Sequence, residues 1–200
     1  YRVDDDPEGL LDEQMWALAF TDTRYHWPTI GWRKDLDTIS VEQCTTFYKD
    51  YYAPNNATLV LVGDLDRDAT LALLEEKYAP LQRSELNRRE HGVEPEQTEA
   101  RHIVMEQPIE MEMFSLGYKV PALTHADAPA LAVVDALLTA GDSSRLQRRL
   151  VDTGFAASVG AYLPPFQNEA LYNFSGTLRG GKSAETAMAV VRDEIKTLRE

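Results

Sequence analysis

The sequence predicts an α+β fold, with helices packed on a mainly antiparallel sheet. Three observations carry that reading. From residue 100 onward the segments run strand, strand, helix, helix, strand, strand, helix. The strand candidates come in pairs, and the helices stand between the pairs rather than alternating with single strands. Clustered hairpins with separate helices indicate an α+β layer, where a doubly wound sheet would alternate strand and helix.

The elements follow in chain order. Pro7 suits the first turn of a helix, with Asp6 before it as a cap. Leu10, Leu11, Met15, Leu18 and Ala19 then keep helical spacing, and Trp16 and Phe20 widen the apolar face. "RYHWPTIGW" breaks at Pro28 and Gly31 and reads as loop. Ser40 and Gln43 form a capping box for a helix whose stripe is Val41, Cys44, Phe47 and Tyr51. Pro54 and Asn55 stop it. "ATLVLVG", residues 57–63, is a continuous apolar run that predicts a fully buried strand. On that reading, truncating Leu59 or Leu61 costs about 2–5 kcal/mol. Asp66 caps the next helix, with Leu71, Leu74 and Tyr78 turned inward.

Residues 83–100 are polar, contain Gly92 and Pro95, and read as a linker open to protease. "RHIVMEQ" is an alternating strand candidate and "MEMFSLGYKVP" a second, ending at Pro121. A helix covers about 127–139. "GDSSRLQRRLV" gives a turn, a cap from Ser143 or Ser144 and a short helix. "ASVGAYLP" and "ALYNFSGTLRG" are strands, and Ser183 starts a last helix.

Composition narrows the function. The formal net charge is -13 with a pI near 4.7, which disfavours nucleic acid, because neutralising phosphates needs basic surface. The same charge favours basic partners at long range. No run approaches the roughly 20 apolar residues of a bilayer span. The single cysteine, Cys44, permits no internal disulfide and leaves the compartment open. Its place among apolar helical positions predicts a buried structural thiol. The first residue is Tyr1 and the last stretch is an uncapped helical pattern, so the chain reads as a segment of a longer protein.

No active site assembles from the residue pattern. His26, His91, His102 and His125 stand more than eight residues apart, and none belongs to an H-x-x-E-H or its inverse. There is no G-x-S-x-G, and the serine pair of "GDSSRL" suits capping. "LRGGK" lacks the spacing of a phosphate loop and reads as a turn. The carboxylates of "DDDPE" sit where a helix dipole favours negative charge.

Three strings taken together carry a resemblance: "DDDPEGLLDEQMWALAF", "YHWPTIGWRKDL" and "YYAPNNATLVLVGDLD". They resemble the stretch after the metal-binding part of the M16 zinc peptidases, the pitrilysin, insulinase and mitochondrial processing peptidase family. "FSLGYKVPALTHADAPALAVVDALLTAGDSSRLQRRLV" is similar to the start of that family's second, non-catalytic repeat. The resemblance implies residues 1–82 as the end of one repeat, 83–100 as linker and 101–200 as most of the next. Pro54, Asn55, Asn56, Gly63 and Asp64 then form a scaffold seam, and Ser143, Ser144, Arg145 and Leu146 a structural motif of the second repeat.

The resemblance also implies a parent that hydrolyses peptides or unfolded protein with one zinc. The ligands of that zinc come from an inverted H-x-x-E-H helix and a later Glu, both missing from these strings. No zinc is therefore expected on this segment, which would supply chamber walls and pair with another M16 half or subunit. In some members the non-catalytic half contributes an Arg and a Tyr to substrate. The matching positions here hold Leu150 or Val151, and Ala157, while Arg148 and Phe155 align only by a slipped register. The other implied role is that of a non-peptidase homologue, a structural or partner-binding subunit.

Overall fold

The computed structural model describes residues 6–86 and 92–199. The carboxylates of Asp4 and Asp5, and His91, lie outside them. The chain divides into two compact units, residues 1–29 with 92–200, and residues 30–91.

The larger unit is a sheet with a helical layer on each face. Helix α1 (Pro7–Ala19) begins where the side chain of Asp6 accepts the N–H of Glu8. The sheet has three strands: β1 (Met113–Val120), β2 (Ala156–Tyr162) and β3 (Ala170–Leu178), ordered β1-β3-β2 and antiparallel throughout. Helix α5 (Ala128–Thr139) leads through a π-helical turn at Gln147–Val151 into β2, and α6 (Ala184–Thr197) follows β3.

Strand alternation separates the two faces. Met113 pairs with Thr177, so even-numbered residues of β1 lie beside even-numbered residues of β3. Phe114, Val120, Ala170, Tyr172, Phe174 and Leu178 form one core with Leu138 of α5, Ala187 and Val191 of α6, and Leu150 of the π turn. The odd-numbered face meets α1. There Leu171 packs with Ala19 and Phe20, and Asn173 reaches Asp12. An aromatic cluster of Trp16, Phe20, Tyr25 and Phe166 closes that side.

Gly117 and Gly176 are required by close packing. A Cβ at Gly117 would stand 2.8 Å from the Leu171 side chain, and one at Gly176 2.7 Å from the Ser158 carbonyl oxygen. Gly181, at φ +77°, makes the turn that "LRGGK" predicts.

The smaller unit holds α2 (Arg33–Leu36), α3 (Val41–Tyr51) and α4 (Arg67–Tyr78). Both predicted caps form. Ser40 and Gln43 make the reciprocal capping box, and Asp66 accepts the N–H of Ala69.

Burial here departs from expectation. Residues 57–63 form no strand, and Leu59, Val60, Leu61 and Val62 are 54%, 74%, 47% and 93% exposed. Of the inward stripes, Val41, Phe47, Leu71 and Tyr78 are exposed, as is Cys44, whereas Tyr51 and Leu74 are half-buried. The reason is physical. An apolar run becomes a buried strand only when a neighbour takes its backbone hydrogen bonds, and the described residues of this unit include no strand. In the larger unit "RHIVMEQ" is likewise irregular and mostly exposed instead of paired.

Candidate functional site

The scaffold seam is built from side-chain amides. Residues Pro54–Asn56 form one 3-10 turn. Asn55 Nδ2 donates to the Ser84 carbonyl and its Oδ1 accepts the Ser84 N–H, both at 3.1 Å. Asn56 Nδ2 donates to the Tyr51 carbonyl at 2.8 Å. Asn55 therefore clamps a segment 29 residues away rather than a local turn amide. Gly63 and Asp64 sit in an exposed bend.

The second motif is a structural ion-pair cluster. Leu146 is fully buried, while Ser143 is exposed. Ser144 is buried, and its Oγ has no hydrogen-bond partner, so neither serine hydroxyl caps the following turn. The turn is stabilised by charge. Arg145 Nε donates to Glu194 Oε2, and Arg149 Nη1 donates to Glu194 Oε1 at 2.7 Å. Glu194 is 4% exposed, and Arg149 also reaches Asp193 at 3.2 Å. This pins the π turn to α6, one carboxylate taking two guanidinium groups.

Two further polar clusters hold α1 and the 92–100 segment to the sheet. Asp12 Oδ1 accepts from Trp16 Nε1 at 3.2 Å and from Asn173 Nδ2 at 3.4 Å, and Ser115 Oγ donates to Asn173 Oδ1 at 2.7 Å. Burial raises the Asp12 carboxyl above its ordinary value, despite those two donors. Glu94 takes the backbone N–H groups of Thr21, Asp22 and Thr23 together with Lys119 Nζ. Burial alone would push Glu94 up, but these donors outweigh it and hold its carboxyl at about 2. Tyr172, buried and donating to Asp135 at 2.9 Å, is held far above the usual phenol range.

Two cavities open beside β1 in the larger unit. One, of about 550 Å³, is lined by all five methionines of the chain: Met15, Met105, Met111, Met113 and Met188. The other, of about 1410 Å³, runs along residues 115–119 and the 93–102 segment.

These polar clusters anchor elements and do not assemble a catalytic set. Among the described residues no three His, Cys, Asp or Glu side chains gather around a possible metal. His26 Nδ1 lies 2.7 Å from the Phe20 carbonyl oxygen, and His125 Nδ1 accepts the Asp127 N–H. Leu150 is fully buried, and Phe155 lies under Lys182.

Residues 38–200 match the family model described as the peptidase M16 inactive domain. The chain belongs to the peptidase M16 family. Among M16 relatives it is 31% identical to zinc protease PqqE of Helicobacter pylori, over 99% of this chain and 45% of that protein. It is 25% identical to an uncharacterized zinc protease of Mycobacterium leprae, over 94% of this chain and 43% of that one. A solved protease structure from Helicobacter pylori superposes with TM-score 0.80 at 29% identity, over 99% of this chain and 48% of that chain. An M16 inactive-domain structure from Pseudomonas fluorescens superposes with TM-score 0.76 at 19% identity, which bears on fold alone. The chain thus spans about half the length of the M16 relatives it matches. The α+β layering expected of an M16 repeat is the fold observed.

Sequence reasoning missed the anchors Asp12, Glu94, Asn173 and Glu194. Only Asp12 left a local signal, standing one helical turn before Trp16. The partners of the others are distant in sequence and carry no motif.

Proposed function

We propose that this chain is a non-catalytic scaffold of a zinc-dependent metalloendopeptidase, forming walls of the chamber in which peptides or unfolded proteins are hydrolysed. The observation that carries the reading is the match of residues 38–200 to the M16 inactive domain. Relatives named as zinc proteases support it, at 31% and 25% identity over nearly the whole chain. In this reading residues 1–82 close one repeat, 83–100 link, and 101–200 begin the next. The zinc belongs to polypeptide outside this chain, because the described side chains offer no ligand cluster that fits it. The chain's own contribution is shape: a sheet held between helices, with ion pairs and carboxylate clamps fixing the layers. It pairs with another M16 half or subunit.

The test is a zinc titration by calorimetry, run beside a cleavage assay on an unfolded protein. The isolated chain takes up no stoichiometric zinc and cleaves nothing. Tight uptake of one zinc together with cleavage by the isolated chain would overturn the proposal.

A further inference from the structure

Residues 92–100 belong to no helix or strand, and among the described residues their backbone makes no backbone–backbone hydrogen bond. All of them are exposed except Glu94, and its neighbour Val93 is 92% exposed. One buried side chain therefore holds the segment, until Arg101 Nη1 donates to the Leu18 and Ala19 carbonyls where it ends.

Glu94 enters a receptor that other elements build. Its Oε2 accepts the N–H groups of Thr21, Asp22 and Thr23 at 3.0, 3.0 and 3.3 Å. Its Oε1 takes Lys119 Nζ at 3.0 Å and the Thr21 hydroxyl at 3.4 Å. Successive N–H groups turned to one point form a nest, a concavity suited to anions. Thr23 Oγ1 is buried beside it with no hydrogen-bond partner among the described residues. The frame is fixed from both sides by contacts that do not involve Glu94. Before it, Phe20 is fully buried with Ala19 and Leu171. After it, a 3-10 turn at Arg24–His26 closes with the His26 N–H on the Thr23 carbonyl. Lys119 is placed by β1 and by the face of the Phe20 ring.

We infer that the Thr21–Thr23 nest with Lys119 is a carboxylate-binding site, that Glu94 is its tethered occupant, and that residues 92–100 form a strap that opens when an outside carboxylate takes the place of Glu94. The donors set the ligand class. Backbone N–H groups and an ammonium around one point match a planar carboxylate, free or at the C-terminus of a peptide, and capture of such termini in nests is a general recognition mode. A short tether gives Glu94 an effective concentration on the order of millimolar, so a free carboxylate displaces it only above that level. The inference concerns the larger unit alone and stands apart from the scaffold reading.

The test removes the occupant. In Glu94→Ala the backbone amides of residues 21–23 are followed by NMR while acetate, or acetyl-alanyl-alanine with a free C-terminus, is added at constant ionic strength. The expected result is a saturable shift of these amides. The same dipeptide with a C-terminal amide gives none, and Lys119→Met in the Glu94→Ala background weakens binding by about tenfold or more. Binding of both acids assigns the site to the carboxylate group itself, and binding of the dipeptide alone assigns it to a peptide C-terminus. No saturable shift with either acid, equal shifts with the amide, or no effect of Lys119→Met overturns the site. The parent chain supplies a second arm that does not need the variant to fold. Added protease cuts the parent within residues 92–100 about threefold or more faster in concentrated acetate than in chloride of equal ionic strength. Glu94→Ala is cut fast in both. Equal rates for the parent in the two salts overturn the strap. None of these readouts involves zinc, so their failure leaves the scaffold reading untouched, and zinc uptake with cleavage leaves the nest untouched.

Discussion

Lys119 Nζ donates to Glu94 Oε1 at 3.0 Å, and the Glu94 side chain is only 5% exposed. The ammonium also lies 5.0 Å from the centroid of the Phe20 ring, so one lysine ties β1, the segment after residue 91 and the end of α1 together. The carboxylate is saturated by three backbone N–H groups from residues 21–23. The pH consequence has a definite sign. The folded carboxyl sits at about 2 against an ordinary 4.5, so its contribution is present above 4.5 and is lost as pH falls toward 2. The contribution is on the order of 3 kcal/mol at neutral pH. Glu94→Gln therefore destabilises at pH 7 in urea titrations, and the gap from the parent narrows steadily below pH 4.5.

Asp12 works in the opposite direction. Its folded carboxyl is raised above 3.8, mainly by burial. A raised value means the stability is present below 3.8 and lost as pH rises through the folded value, so the ionised group is a burden at neutral pH. Asp12→Asn keeps an oxygen to accept from Trp16 and Asn173. The variant is expected to match or exceed the parent in thermal stability at pH 7. That advantage disappears in acid, and a clear loss at pH 7 would contradict the account.

Glu194 is the buried member of a carboxylate–guanidinium cluster, and removing it leaves Arg145 and Arg149 facing each other without their shared partner. Glu194→Ala costs about 3–5 kcal/mol. Arg149→Ala costs less, since Arg145 still satisfies the carboxylate and Arg149 is about half exposed. Equal costs in urea denaturation would mean that the cluster is not organised around Glu194.

Gly176 and Gly117 separate backbone from side-chain crowding. An added methyl at Gly176 meets a carbonyl oxygen and the Phe114 ring, neither free to withdraw, whereas at Gly117 it meets the Leu171 side chain. Gly176→Ala is the more damaging change, by about 1–3 kcal/mol over Gly117→Ala. Paired thermal melts of the two variants test the ranking.

Leu61 and Phe174 give a final contrast. Phe174 is fully buried, and Phe174→Ala costs about 3–5 kcal/mol. Leu61 is 47% exposed, so Leu61→Ala costs about 1 kcal/mol or less, well below what its apolar run alone suggests. A large loss at Leu61 would show that residues 57–63 are buried in solution.

Much of the larger unit was legible. The strands at 113–120, 156–162 and 170–178 and the helices from 7, 128 and 184 lie where alternation, periodicity and caps place them. The boundaries at Ser40, Asp66 and Ser183 held because a cap is a contact within three residues, encoded where it acts. "ATLVLVG" and "RHIVMEQ" were misread as paired strands, because pairing requires a second segment that no local pattern specifies. The capping role given to Ser143 or Ser144 was also wrong, since the turn they precede is held by Glu194, 49 residues beyond Arg145.

By itself the sequence determined the local grammar: where helices start, where turns fall, which stretches have strand character, and which family the strings resemble. Tertiary structure alone decided which strand found a partner, which of 33 acidic residues became buried anchors, and which edge of the sheet stayed open. The physical reason is range. Caps and periodicity act within one or two turns of chain, whereas a ladder or a buried ion pair forms only when distant segments are brought together and water leaves the space between them.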